Sequence, residues 1–117
     1  MRNDILISVV MPNYNGHRFV EQAIDSVLSQ TYQNFEMLVV DDCSKDDSLW
    51  LIKQKAQSDS RIRIIALEKN VGVANARNVG IQEAKGRYIS LLDNDDLWTE
   101  DKLERQLAIA ENGADIV

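Results

Sequence analysis

The sequence predicts an α/β domain: a doubly wound, mostly parallel sheet with helices on both faces and the strands in the order 3-2-1-4. Three observations carry that prediction. Apolar runs alternate with segments whose apolar residues recur at helical spacing. The runs are apolar throughout, as strands covered on both faces are. Polar and acidic residues gather directly after the runs, at the strand ends where such sheets bind ligands.

The elements follow in order. ILISVVM (5–11) is β-branched and apolar, a first strand with Pro12, the chain's one proline, at its end. From His17 to Gln30, the residues Phe19, Val20, Ala23, Ile24, Val27 and Leu28 fall on a helical stripe. FEMLVV (35–40) is the second strand. Asp46 to Ser58 reads as a helix through Leu49, Leu51, Ile52 and Ala56, with Ser44 or Asp46 as its N-cap. RIRIIAL (61–67) is the third strand. Val73 to Ala84 is an Ala-rich helix that Gly86 is placed to terminate. RYISLL (87–92) is the fourth strand. Thr99 to Glu111 is a helix whose start is favoured by Glu100 and Asp101. Gly113 ends it, and ADIV (114–117) begins what reads as a fifth strand, left truncated. Right-handed crossovers between parallel strands make the whole doubly wound. A domain seldom stops at the start of a strand, so the chain reads as a piece of something longer.

Composition removes several classes of function. The 117 residues suffice for one domain with a core. The net charge is −6 and there is no basic stripe, which argues against binding nucleic acid through its phosphates. An anionic ligand would need a local cation, either a metal or a placed Arg or Lys. Cys43 is the single cysteine, so no internal disulfide forms, which suits a reducing, cytoplasmic location. With one histidine, His17, multi-histidine metal sites are excluded. The apolar run after the polar N-terminus stops at Met11, so no signal peptide is evident. No stretch approaches the roughly 18 apolar residues of a membrane span.

Two strands run into knots of negative charge. EMLVV (36–40) leads to Asp41 and Asp42, with Asp46 and Asp47 behind; RYISLL leads to Asp93, Asp95 and Asp96. Like charges this close repel unless a cation sits among them. Mg²⁺ and similar hard ions take carboxylate oxygens together with substrate phosphates. Asp93 and Asp95 fit that use, whereas Asp46 and Asp47 are read as turn formers and caps. In the order 3-2-1-4, PNYNG (12–16) lies beside DNDD (93–96), with Asp41 and Asp42 one strand over. Tyr14 is placed to stack on a nucleobase or to lie on loop backbone. Arg77 is placed to reach anionic oxygens or to form a surface ion pair. Trp98 anchors the last helix and Trp50 is partly buried on its own. No GxGxxG or GxxxxGK[ST] motif is present.

SVVMPNYN (8–15), QTYQNFEMLVVDDCSKDDS (30–48) and NVGVANARNVGIQEAKGRYISLLDNDD (70–96) together resemble the donor-binding half of a family 2 glycosyltransferase with the Rossmann-like GT-A fold. The resemblance covers about residues 7 to 117, in the family's order and spacing, so residues 1–117 read as the nucleotide-sugar-binding part of such a domain. It implies a nucleotide-sugar donor, UDP-linked first, and a divalent metal, Mn²⁺ or Mg²⁺. It further implies that Pro12, Tyr14, Asn15, Asp42, Arg77, Asp93, Asn94 and Asp95 bind the donor. Among these, Tyr14 would stack on the base and Asp42 would accept a hydrogen bond from it. Arg77 would lie near base or diphosphate. Asp93 and Asp95 would hold the metal, with Asp96 left open. The family's catalytic base and acceptor-selecting region lie downstream of Val117. The acceptor, saccharide or lipid-linked, would be engaged by the full-length protein, at the cytoplasmic membrane face if it is lipid-linked. This piece alone is expected to transfer sugar poorly. A phosphate-accepting receiver domain is the alternative, but its acidic pair follows its first strand, where this chain has PNYNG.

Overall fold

The computed structural model describes residues 4–93 and 95–111. Asn94 and the expected fifth strand (114–117) lie outside the described residues. The elements are β1 (Ile7–Asn13), α1 (Val20–Leu28), β2 (Phe35–Asp41), α2 (Ser48–Ser58), β3 (Ile62–Ala66), α3 (Val73–Glu83), β4 (Tyr88–Leu91) and α4 (Lys102–Glu111). The four strands form one parallel sheet in the order β3-β2-β1-β4. That is the predicted order. It differs from the 2-1-3-4-5 order of the receiver-type fold.

The period of two along each central strand sorts the layers. Ile7, Val9 and Met11 of β1 and Met37 and Val39 of β2 join one core with Val20, Ala23, Ile24 and Val27 of α1. Ile52 of α2 and Leu103 and Leu107 of α4 belong to it as well. Val10 and Val40 point to the other face and meet α3 at Gly80, where an added Cβ would lie 2.5 Å from Val10 Cγ1. A glycine at this position lets α3 press onto the sheet and fixes where its N-terminal turn ends up. The central strands are buried along their full length, which is why they read as unbroken apolar runs.

Several local expectations change. Gly86 does not cap α3, whose C-cap is Ala84. Gly86 is needed instead because β1 passes close by: a Cβ there would sit 2.7 Å from Ser8 N and 2.8 Å from Leu6 O. α1 and α4 begin about one turn later than their patterns suggested, at Val20 and Lys102, because residues 17–19 and 100–101 form turns. Trp50 is 59% exposed rather than partly buried. The α2 N-cap position falls to Asp47, while Asp46 Oδ1 accepts the Ser48 amide at 2.9 Å. Trp98 does pack against the core, with Lys102 Nζ over its ring.

Pro12 lies inside β1, one residue from its end. Val10 O accepts Leu92 N and Asn13 O accepts Asp42 N. Backbone groups alternate between neighbours along a strand, so the Pro12 nitrogen faces the β4 side. There the ladder has already ended at the Val10–Leu91 pair. A proline is tolerated because no partner remains for its missing N–H. The same parting of β1 from β4 opens the cleft described next.

Candidate active site at the carboxyl ends of the strands

A cleft of about 480 Å³ opens where β1 and β4 separate, within the size range of small-molecule sites. Pro12, Asn13 and Tyr14 line it from β1, and Asp42 from the end of β2. Asn70, Gly72, Val73, Ala76 and Arg77 line it from α3 and the loop before it. Asp93 and Asp95 line it from the segment after β4. Six of the eight residues named from the sequence therefore share one space: Pro12, Tyr14, Asp42, Arg77, Asp93 and Asp95.

Each is placed by a nameable cause. Asp42 is 2% exposed. Its Oδ1 accepts Val71 N at 2.7 Å and its Oδ2 accepts Gly72 N at 3.0 Å. Asn70 Nδ2 donates to the Asp42 carbonyl at 3.1 Å. Asp42 thus ties the loop before α3 to the end of β2. An ionised carboxylate has about four lone-pair sites, so each oxygen retains capacity for a donor arriving in the cleft. Gly72 supplies the turn into α3 at φ 92°, a conformation that side chains disfavour. Tyr14 is 45% exposed, which leaves ring surface available for stacking on a flat ligand.

Arg77 sits one turn before Gly80, on the helix face held against the sheet. Its Nη2 donates to Asp93 Oδ1 at 2.5 Å. Its Nε is buried and has no acceptor among the described residues. After β4 the chain turns through a hydrogen bond from Asp96 N to Asp93 O at 3.0 Å. This brings one carboxylate oxygen from each of Asp93, Asp95 and Asp96 to within 4.8 Å of one another. The Asp95 and Asp96 side chains have no hydrogen-bond or ion-pair partner among the described residues.

Asn15 is absent from the cleft wall. It stands at φ 53°, and its Oδ1 accepts Lys45 N at 2.8 Å and Asp46 N at 3.4 Å. Its side-chain oxygen thereby braces the loop after β2. Asn94 lies outside the described residues. The sequence reading passed over Val73 and Ala76, which line the cleft through the N-terminal turns of α3. Asn70 and Gly72 stand in the sequence only as part of the 70–96 stretch that carries the family resemblance. Asp96 joins the acidic group because of the turn, a feature the DNDD spacing alone could not fix.

The other acidic knot is structural. Asn13 Nδ2 donates to Asp41 Oδ1 at 2.8 Å and to Ser48 Oγ at 3.0 Å. Asp41 also accepts Ser44 N and Ser44 Oγ. Asp47 pairs with His17 Nδ1. Burial raises the Asp46 pKa, but hydrogen bonds from Ser48 Oγ, Ser48 N and His17 N outweigh it and hold the carboxyl below its usual range.

The parallel sheet in the order β3-β2-β1-β4 with its flanking helices is the Rossmann-like GT-A fold. Residues 8–117 match the family described as "Glycosyl transferase family 2", and the chain belongs to it. It is 45% identical over 102 residues to a putative teichuronic acid biosynthesis glycosyltransferase, TuaG, of Bacillus subtilis, covering 87% of this chain and 40% of that protein. It is 43% identical over 107 residues to the Escherichia coli UDP-Glc:alpha-D-GlcNAc-diphosphoundecaprenol beta-1,3-glucosyltransferase WfgD, covering 92% and 42%. The chain thus spans about two-fifths of these relatives' length. Among solved structures, S. aureus TarS 1–349 in complex with UDP-GlcNAc superposes with a TM-score of 0.83 at 29% identity, over 91% of this chain and 31% of that one. The Pyrobaculum calidifontis mannosyltransferase PcManGT in complex with GDP-Man and Mn²⁺ gives 0.81 at 25% identity, over 86% and 31%. Among the described residues no helix is long and apolar enough to cross a membrane.

Proposed function

We propose that residues 1–117 form the donor-binding part of a metal-dependent glycosyltransferase domain that uses a nucleoside-diphosphate sugar, with a UDP-sugar as the first candidate. The observation that carries this is the convergence of Tyr14, Asp42, Arg77, Asp93 and Asp95 on one cleft, with the Asp96 carboxylate close to the last two. The two E. coli and S. aureus proteins named above are described with UDP-linked sugars, which supports that choice of donor.

The residues present suit a divalent ion. The donor set is oxygen only, it carries several negative charges, and two of its three carboxylates have no side-chain partner among the described residues. Hard cations such as Mg²⁺ and Mn²⁺ take such ligands together with phosphate oxygens. When bound, the metal would neutralise the diphosphate and stabilise it as a leaving group. The chain's own residues do the remainder. Tyr14 offers its ring to the base. Asp42, held rigid by two backbone amides, accepts a hydrogen bond from the base edge. Arg77 presents a guanidinium to the anionic end of the donor. Asp93, Asp95 and Asp96 provide the ion's ligands. The base that deprotonates the acceptor, in a transfer with inversion, is assigned to sequence beyond Val117, as is recognition of a saccharide or lipid-linked acceptor. A cytoplasmic site of action, at the membrane face for a lipid-linked acceptor, accords with the E. coli relative's diphosphoundecaprenol substrate.

Calorimetric titration of UDP, with and without Mn²⁺, tests the reading in wild type and in Asp95→Ala. Metal-dependent binding that is lost in the variant is expected. Binding indifferent to both metal and Asp95 would remove the metal from the proposal. GDP in place of UDP tests the choice of base.

A further inference from the structure

We propose that Arg77 makes the metal site conditional on the nucleotide: without donor its guanidinium occupies Asp93, and the arriving diphosphate draws it away and frees that carboxylate for the ion. This rests on the donor- and metal-binding reading above and adds an order of events to it.

Arg77 Nη2 lies 2.5 Å from Asp93 Oδ1, and Asp93 is one of the three carboxylates grouped within 4.8 Å. A cation entering this group must displace the guanidinium or sit beside its charge. Neither is favourable, and the guanidinium does not deprotonate at any ordinary pH. The lone ion thus meets a site with one ligand engaged and a positive charge at its rim.

Two further features make the pairing exchangeable. The side chains of Arg77 and Asp93 are 33% and 48% exposed, and ion pairs of such exposure contribute little to folding. Arg77 Nε is also buried without an acceptor among the described residues, so the contact with Asp93 does not satisfy the guanidinium. A diphosphate offers several charged oxygens, which an arginine fork engages through two parallel hydrogen bonds. Moving from Asp93 to the diphosphate gives Nε a partner and leaves Asp93 to the ion. The helix need not move, since Gly80 seats α3 against Val10 and Val40.

The consequence is thermodynamic coupling. Nucleotide raises affinity for the ion, and by linkage the ion raises affinity for nucleotide by the same factor. Direct ligation of the ion by the diphosphate contributes to that factor in any such site; Arg77 adds a separable share.

Electron paramagnetic resonance of Mn²⁺ measures free and bound ion directly, without turnover. The intact protein is titrated with Mn²⁺ alone and again with saturating UDP, as wild type, Arg77→Met, Arg77→Lys and Asp95→Asn. For wild type we expect weak binding alone and tightening of about tenfold or more with UDP, within the usual range of coupling. Arg77→Met should bind Mn²⁺ alone roughly five- to tenfold tighter than wild type, with a smaller gain from UDP. Arg77→Lys, which keeps the charge, should stay near wild type for the ion alone. If Arg77→Met binds the lone ion no tighter than wild type while Asp95→Asn loses it, the metal site stands and the exchange is wrong. If folded wild type binds no Mn²⁺ even with UDP, the donor-and-metal reading fails and takes the exchange with it.

Discussion

Two acidic knots terminate two strands of one sheet, and the structure treats them in opposite ways. After β2, each carboxylate is answered by the protein. Asp41 is met by Asn13 and Ser44, and Asp42 by the amides of Val71 and Gly72. Asp46 is met by Ser48, and Asp47 by His17. After β4, only Asp93 is met, by Arg77, while Asp95 and Asp96 stand exposed without side-chain partners among the described residues. Carboxylates that accept several hydrogen bonds stabilise a loop. Carboxylates held close together without partners raise the local energy until a cation arrives. The number of acidic residues does not separate these cases; what separates them is how many donors the surrounding chain brings within reach.

The comparison breaks most sharply at Asp95. On the proposed donor-and-metal reading, Asp95→Ala in the full-length protein should lower sugar transfer by roughly 100-fold or more, since a bound metal would supply several kcal/mol of transition-state stabilisation. The melting temperature should stay close to wild type. A variant that melts early but still transfers sugar would place Asp95 with the structural carboxylates.

Asp42 belongs to both groups, because it anchors a loop and also lines the cleft. Asp42→Ala strands two backbone amides at about 1–3 kcal/mol each, so denaturant unfolding should register the loss while nucleotide affinity falls too. Asp41→Ala sharpens the contrast. It removes the acceptor for Asn13 Nδ2, Ser44 N and Ser44 Oγ and should cost about 2 kcal/mol of stability. Mn²⁺ affinity in the refolded protein should not change. A drop in metal affinity would mean that the β2 knot transmits to the ion and that the two regions are not independent.

Gly80→Ala probes the seat of Arg77. The new Cβ meets Val10 Cγ1 at 2.5 Å, and overpacking of this kind costs about 1–3 kcal/mol. Shifting α3 should also loosen the Arg77–Asp93 contact, which nuclear magnetic resonance of the guanidinium would detect.

The smallest effect concerns Asp59, a carboxylate far from either knot. Its hydrogen bonds from the Arg61 side chain hold its pKa below the usual value. The stability from this pairing is therefore fully present above the unfolded value of about 3.9 and lost as pH falls through the lower folded value. Thermal melts taken below about pH 4 should fall less steeply for Asp59→Asn than for wild type.

The division of labour between sequence and fold can be followed through these residues. Strand identity was legible because burial on both faces demands continuous apolar runs, as in SVVM and EMLVV. Right-handed crossovers implied a doubly wound sheet without fixing its strand order, and the position of the cleft follows once the order is 3-2-1-4. Resemblance to a family placed Asp42, Arg77, Asp93 and Asp95 at the site. What remained illegible depended on contacts distant in sequence. Gly86 looked like a helix terminator until β1 was found packed against it. Asn15 Oδ1 braces residues 45 and 46 across a separation of 30 and 31 residues, which its place after the first strand does not reveal. A side chain's hydrogen-bond capacity is finite, and which neighbour takes it up is settled by what the folded chain brings within about 3 Å. The sequence by itself determined that this is a doubly wound domain with acidic strand ends. Only the tertiary structure decided which of those acids already had partners and which were left for a ligand.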